Sequence, residues 1–363
     1  MEQVRTIAKN NSWMLWVVLW AVLLTVIGQF SVAHFPPSWH AAAAPNYRDV
    51  SPFMRWDALH YVDIAARGYT TVSESGFFPG YPLLLRVVHS IVPVARDWLG
   101  SVLSLTAFIA GLWFIRNLEA VRRRSLAPWI TAFAVTLPMS FFFIAPMSES
   151  LLWFSTGMLL FSLERRRFPL ATIAVALAVV SRPVGLVLLI PFIWTCITER
   201  WRWTFAAVII VFLPLIAWDF YLFTKLGTFI GPLQSQLIPG QRSIGIPFSE
   251  LFALPRSISL APNPVYRVDA FVQALAVATA AAGLYGVKKT LAAPWFLACC
   301  IALIGIYGSG TLAGTDRYVM TFAPFVIGLA ALPWRTARYV AIGLGAGFLV
   351  INTVLFSLWC FIA

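Results

Sequence analysis

Residues 13–35 read WMLWVVLWAVLLTVIGQFSVAHF, with no Asp, Glu, Lys or Arg in the run. At about 1.5 Å of rise per residue, a helix of this length crosses the roughly 30 Å hydrocarbon core of a bilayer. Inside lipid the backbone has no water to bond to, so the run is predicted to be a helix that satisfies its own N–H and C=O groups. No small-residue cleavage site follows it convincingly, and it reads as a retained span rather than a signal peptide. Further apolar runs follow at 98–116, 127–145, 148–163, 168–181, 184–198, 203–223, 268–287, 291–308, 318–333 and 338–361. Composition agrees: 60% of the 363 residues are hydrophobic and 11% charged, against roughly a quarter charged in soluble domains. The expectation is an all-α, polytopic integral membrane protein of about 11 spans, forming one domain over residues 1–363.

Charge placement orients the chain. The net charge is +12, which in a soluble protein would suggest nucleic acid, but here the basic residues sit between spans and no nucleic-acid partner is expected. Arg5 and Lys9 precede the first span, and Arg122–Arg124 follow the second. Arg165–Arg167, Arg200 with Arg202, Lys288–Lys289, and Arg335 with Arg338 fall on the same side as the N-terminus. That side holds 15 basic and 4 acidic residues, 15 − 4 = +11, and the opposite side 11 and 10, 11 − 10 = +1. The positive-inside rule makes the N-terminal side cytoplasmic. Two long loops, about 36–97 and 224–266, then face outward and cap the bundle. The arginine clusters read as topological anchors or as contacts to anionic lipid. Cys196, Cys299, Cys300 and Cys360 lie in apolar runs without metal-type spacing and read as small buried hydrophobes.

The first outer loop carries the densest mixture of acid, base and aromatic groups, SPFMRWDALHYVDIAARGYTTVSESGFFPGYP at 51–82. Ser51 followed by Pro52 predicts a helix start, and Gly68 its end. Residues three and four apart share a helical face, which places Asp57 beside His60 and Tyr61, and Asp63 beside Arg67. Asp57 and Asp63 lie about 240° apart around such a helix and are poorly placed to share a metal. Other ionisable residues interrupt apolar sequence on the same outer side: Glu149 in 146–150, Arg182 before Pro183, and Asp316-Arg317-Tyr318. Ionisable groups at membrane depth are costly unless paired or functional, so Glu149 and Arg182 are read either as a structural ion pair or as substrate contacts. Asp219 and Asp269, at span ends, read as interfacial anchors.

These residues resemble a family. Arg55-Trp56-Asp57-x-x-His60-Tyr61, then Ile64-Ala65-x-x-Gly68-Tyr69 and Phe77-Phe78-Pro79-x-Tyr81-Pro82, are similar to the motifs of the PIG-V family of polytopic mannosyltransferases and their bacterial relatives. Pro138-x-Ser140-x-Phe142-Phe143 with Ser148-Glu149-Ser150, then Ser181-Arg182-Pro183-x-Gly185 and Asp316-Arg317-Tyr318, resemble its later motifs in matching order, while Ala58 stands where the family often has Gly. The resemblance implies a GT-C type, inverting glycosyltransferase. It would take mannose or a related sugar from a polyprenyl-phosphate donor on the non-cytoplasmic face and pass it to a lipid, glycan or protein acceptor.

Such chemistry needs a base for the acceptor hydroxyl, here Asp57. Arg182, Arg317 and His60 are candidates for the donor phosphate. Trp56, Tyr61, Tyr81, Glu149 and Asp316 are candidates for substrate contact. No cofactor is expected: no nucleotide sugar, and no divalent metal required by the scheme. The expected partners are the lipid-linked donor, membrane lipids and an acceptor that the residues do not name. The short chain and compact basic loops suggest a bacterial plasma membrane. The competing reading is a transporter or flippase for a lipid-linked or anionic substrate, which would gather the same charges around a polar cavity. A subunit that only assembles other enzymes is the third reading.

Overall fold

The computed structural model describes residues 2–38, 48–236 and 245–360. Parts of both long loops, 39–47 and 237–244, lie outside the described residues. In chain order the helices are α1 (Glu2–His34), α2 (Asp57–Arg67), α3 (Gly80–Ile91), α4 (Arg96–Arg116), α5 (Glu119–Arg123), α6 (Ala127–Thr136), α7 (Glu149–Glu164), α8 (Phe168–Ser181) and α9 (Leu189–Thr198). They continue with α10 (Thr204–Leu226), α11 (Gly231–Gln236), α12 (Leu254–Ser259), α13 (Pro264–Thr290), α14 (Ala293–Tyr307), α15 (Thr315–Met320), α16 (Ala323–Ala330) and α17 (Arg335–Ser357). There is no β-strand among the described residues. Among the described residues, five helices are long and apolar enough to cross a membrane: α1 from Ser12, α4, α10, α13 and α17. Their outward faces carry exposed large apolar side chains such as Trp16, Phe205 and Tyr339. The chain is an all-helical polytopic membrane protein.

The remaining apolar runs also fold as helix, but shorter or broken, and the breaks have local causes. Leu137, before Pro138, and Arg182, before Pro183, have extended ψ values of 145° and 154°, because a proline ring disfavours the α region in the residue ahead of it. Residues 140–143 and 183–188 continue as 3₁₀ turns, and the run predicted over 318–333 splits into α15 and α16. Irregular backbone at membrane depth is tolerated only where protein covers it or where it lines a cavity. Phe141, Phe142 and Phe143 are indeed wholly buried.

The broken helices sit against long ones through very close crossings. α7 lies along α4, and a Cβ on Gly157 would stand 2.6 Å from the Gly111 carbonyl oxygen. α16 lies along α13, where a Cβ on Gly328 would stand 1.9 Å from the Gly283 carbonyl oxygen. Small residues at these crossings let the backbones touch, which is how helices associate when lipid is as apolar as the side chains.

The first long loop departs from its predicted start. The helix begins at Asp57, not at Ser51 and Pro52. Arg55 is wholly buried and donates to the carbonyls of Ser51, Met54 and Ser357. Those bonds hold 51–56 in a turn tied to the end of α17, and Ser51 N–H goes to Asp97 Oδ2 at 2.8 Å instead of opening a helix. The predicted stop stands: Gly68 ends α2 with φ +83°, a conformation glycine adopts without a Cβ penalty.

Candidate functional site

Four of the predicted residues converge from four separate elements. Asp57 opens α2, Glu149 opens α7, Arg182 directly follows α8, and Arg317 lies in α15. Each of the first three has the charge its helix end favours, carboxylates at N-termini and a cation at a C-terminus. Arg317 links them: Nη2 is 2.8 Å from Asp57 Oδ2 and Nε 3.3 Å from Glu149 Oε1. Arg182 Nη1 donates to the same Glu149 oxygen. The side chains of Glu149, Arg182 and Arg317 are 1%, 5% and 9% exposed, whereas Asp57 is 34% exposed. The network is therefore a closed core with one carboxylate at its open rim.

Aromatic faces complete the walls. The Arg182 guanidinium lies 4.2 Å from the Tyr318 ring centroid, and that of Arg317 lies 5.1 Å from Phe142. A guanidinium over a ring gains cation–π attraction where water is excluded. Met147 Sδ is 4.0 Å from Arg317 Nη1. Glu149 Oε2 is buried without a hydrogen-bond partner among the described residues. Phe142 and Tyr318 are not among the candidates the sequence suggests. Both fall inside motifs whose charged members drew attention, and only three-dimensional stacking reveals their part.

Electrostatics follows from this placement. Desolvation acts to raise the Asp57 carboxyl, but the charge and hydrogen bond of Arg317, with Arg182 and His60 beyond it, outweigh that and hold it below its ordinary value. Trp56, just ahead of it, has φ +52° and ψ −123°. That is an uncommon conformation for a bulky residue, and such outliers concentrate where surrounding structure over-determines a functional segment. The Trp56 ring packs at 5.6 Å on Trp359.

The other candidates are distributed unevenly. Tyr61 faces the network as the helical spacing required, but its hydroxyl pairs with Ser148 Oγ at 2.8 Å and its ring edge meets Phe77. Burial pushes its hydroxyl well above the ordinary range. His60 is exposed and stacks on Phe77 at 4.7 Å. Tyr81 is buried, and its hydroxyl joins Gly100 O at 2.8 Å and Ser104 Oγ at 2.9 Å, fastening α3 to α4. Asp316 is also fully buried, with Oδ1 accepting from Arg317 N at 2.8 Å. Burial and the neighbouring Asp269 push its carboxyl up to about 8. It buttresses α15 and does not join the ion-pair network. Asp63 pairs with Arg67 in the open, as the spacing predicted. Asp219 accepts from Ile230 N at 2.7 Å, which folds the start of the second long loop back onto α10.

Fold and site together define a polytopic helical membrane protein with a buried arginine–carboxylate network where its shorter helices end. Comparison with known proteins adds one likeness. A curated relative, GPI alpha-1,6-mannosyltransferase 2 of Cricetulus griseus, is 33% identical over 144 residues, 37% of this chain and 29% of that protein. The match thus spans less than a third of the relative's length. No family model and no solved structure matches the chain.

Proposed function

We propose that the chain is a glycosyltransferase of the GT-C type that transfers mannose or a related hexose from a polyprenyl-phosphate donor to an acceptor hydroxyl, with inversion. The observation that carries this reading is the network itself: two guanidiniums fixed by one buried glutamate, with a half-open aspartate bonded to one of them. The partial likeness to a mannosyltransferase supports the sugar.

In this scheme Asp57 takes the acceptor hydroxyl proton as the oxygen attacks the anomeric carbon. The bond from that carbon to the phosphate oxygen breaks, and its electron pair stays on the leaving polyprenyl phosphate. Arg317 and Arg182 take up the growing negative charge, for which paired N–H donors are well suited. Glu149 positions both guanidiniums and does not touch the reacting atoms. A carboxylate bonded to a guanidinium is a weak base. An arriving donor phosphate competes for Arg317 and loosens its hold on Asp57, so basicity returns when the donor is in place. Trp56, partly exposed beside Asp57, borders the opening where an acceptor would enter. The N-terminal side is assigned to the cytoplasm and the network to the opposite face, on the charge asymmetry of the loops.

The test is incubation of the purified protein with labelled polyprenyl-phosphate-mannose and a membrane extract as acceptor source. Release of polyprenyl phosphate together with a labelled product is the expected outcome. Donor that crosses a liposome bilayer chemically intact, with no product, would assign the network to transport.

A further inference from the structure

α7 and α8 carry the Glu149–Arg182 pair at one end and a second, differently built charged region at the other. Glu149 opens α7 and Glu164 ends it, which separates the two by about 22 Å at 1.5 Å per residue. At the far end a cavity of about 790 Å³ lies between the α4–α5 and α7–α8 turns. It is lined by Asn117, Glu119, Arg122, Arg123, Glu164, Arg165 and Arg167. That volume falls in the range of small-ligand sites, roughly 300–1,000 Å³.

The cavity's carboxylates are already engaged. Glu119 pairs with Arg123, and both oxygens of Glu164 accept from Glu119 N at 2.9 Å, capping α5. The lining charge is four arginines less two glutamates, 4 − 2 = +2. Among the described residues no carboxylate pairs with Arg122, Arg165 or Arg167. Arg165 is held over the Phe161 ring at 4.6 Å, which directs its guanidinium. Arg124 and Arg166, from the same two clusters, do not line the cavity. Arg124 donates to Lys289 O, and Arg166 pairs with Glu199.

A topological anchor needs charge on the correct side and nothing more. Here Arg124 and Arg166 are engaged away from the cavity, Arg123 lines it while paired with Glu119, and Arg122, Arg165 and Arg167 line it with no carboxylate partner among the described residues. We infer that this cavity is a binding site for a phosphate group, separate from the Asp57 network and independent of the proposed transfer. Arginine forks match phosphate oxygens in pairs. The cavity belongs to the basic end of the bundle, where an anionic lipid headgroup and a soluble phosphate compound are the two sources.

The test uses the full chain purified in detergent, with short-chain phosphatidate, short-chain phosphatidylcholine and inorganic phosphate as probes, and affinity read by ligand-induced thermal shift. Two variants remove equal charge from the same turns: Arg122→Gln with Arg167→Gln in the cavity, and Arg124→Gln with Arg166→Gln outside it. All four side chains are exposed, so neither variant opens the core, and both alter topogenic charge equally. The expected result is binding of phosphatidate in preference to phosphatidylcholine, weakened about tenfold or more in the cavity variant and less than about twofold in the outer one. Saturable binding of inorganic phosphate with the same variant pattern would support the site and assign it to a soluble ligand; its absence, with phosphatidate bound, would assign it to a lipid. Equal weakening in both variants, or no preference for phosphatidate over phosphatidylcholine, would overturn the proposal.

Discussion

The two ends of α7 and α8 use the same residue types to opposite effect. At one end Glu149 and Arg182 are 1% and 5% exposed, share partners with Arg317 and Asp57, and have ring faces as walls. At the other, the paired arginines Arg123 and Arg166 are 76% and 71% exposed. A buried charge without its partner is far costlier than an exposed one, because water cannot take the partner's place. The difference teaches that ionic bonds here are not counted but weighed by depth. The deep end constrains folding, and it is the end to which the proposed chemistry is assigned.

The largest expected effect comes from breaking the deep end. Glu149→Leu leaves two buried guanidiniums facing each other, and we expect a loss of roughly 3–5 kcal/mol in stability, seen as a much lower unfolding temperature in detergent. If unfolding is unchanged, the network is solvated and the contrast between the two ends fails. Next is Asp57→Asn, which removes charge only at the rim. It should retain the fold while transfer falls by about 10²–10⁴-fold; equal loss of fold and activity would make Asp57 structural.

Tyr81→Phe removes a hydroxyl that joins α3 to α4. The expected cost is about 1 kcal/mol in stability, with transfer rate unchanged, and a selective loss of rate would return Tyr81 to the site. At the shallow end, Arg123→Gln should leave the unfolding temperature within error, since exposed pairs contribute little.

The pH response sharpens the same contrast. The folded Asp57 value is depressed, so the stability it adds is present above its unfolded value of about 3.9 and is lost as pH falls through the lower folded value. Hence kcat/KM, which reports the free enzyme, should show no acid limb from Asp57 between about pH 5 and 7. A limb in that window that disappears in Asp57→Asn would show that Arg317 does not hold the carboxylate.

Much of this was legible in the order of residues. Apolar length alone gave the helical membrane architecture, because lipid leaves the backbone few options. Proline marked the boundary at Pro183, between the runs 168–181 and 184–198, whereas 127–145 was read as one run and its break before Pro138 appears only in the structure. Glu149, Arg182 and Arg317 were visible as charges interrupting apolar sequence, and Asp57 as a carboxylate in the polar first loop. Ion pairing of Glu149 and Arg182 was one of two readings, but their joining with Arg317 and Asp57 was not visible, because it brings together four elements more than thirty residues apart. Arg55 shows the other limit. Ser51-Pro52 is a sound local start signal, yet a buried guanidinium bonding three carbonyls overrode it. Tyr81 was read as a candidate for substrate contact; only the approach of α4, with Gly100 and Ser104 in reach, shows its hydroxyl engaged. The arginine clusters looked uniform in sequence, and their division into engaged and converging members needed the turns to be folded.

The most direct measurement of the central claim is hexose transfer from a labelled polyprenyl-phosphate-hexose by wild type and Asp57→Asn, prepared side by side with matched unfolding temperatures. Labelled product from wild type and at least a hundredfold less from Asp57→Asn is the predicted result. Equal product from both proteins would contradict the assignment of the rim carboxylate as the base.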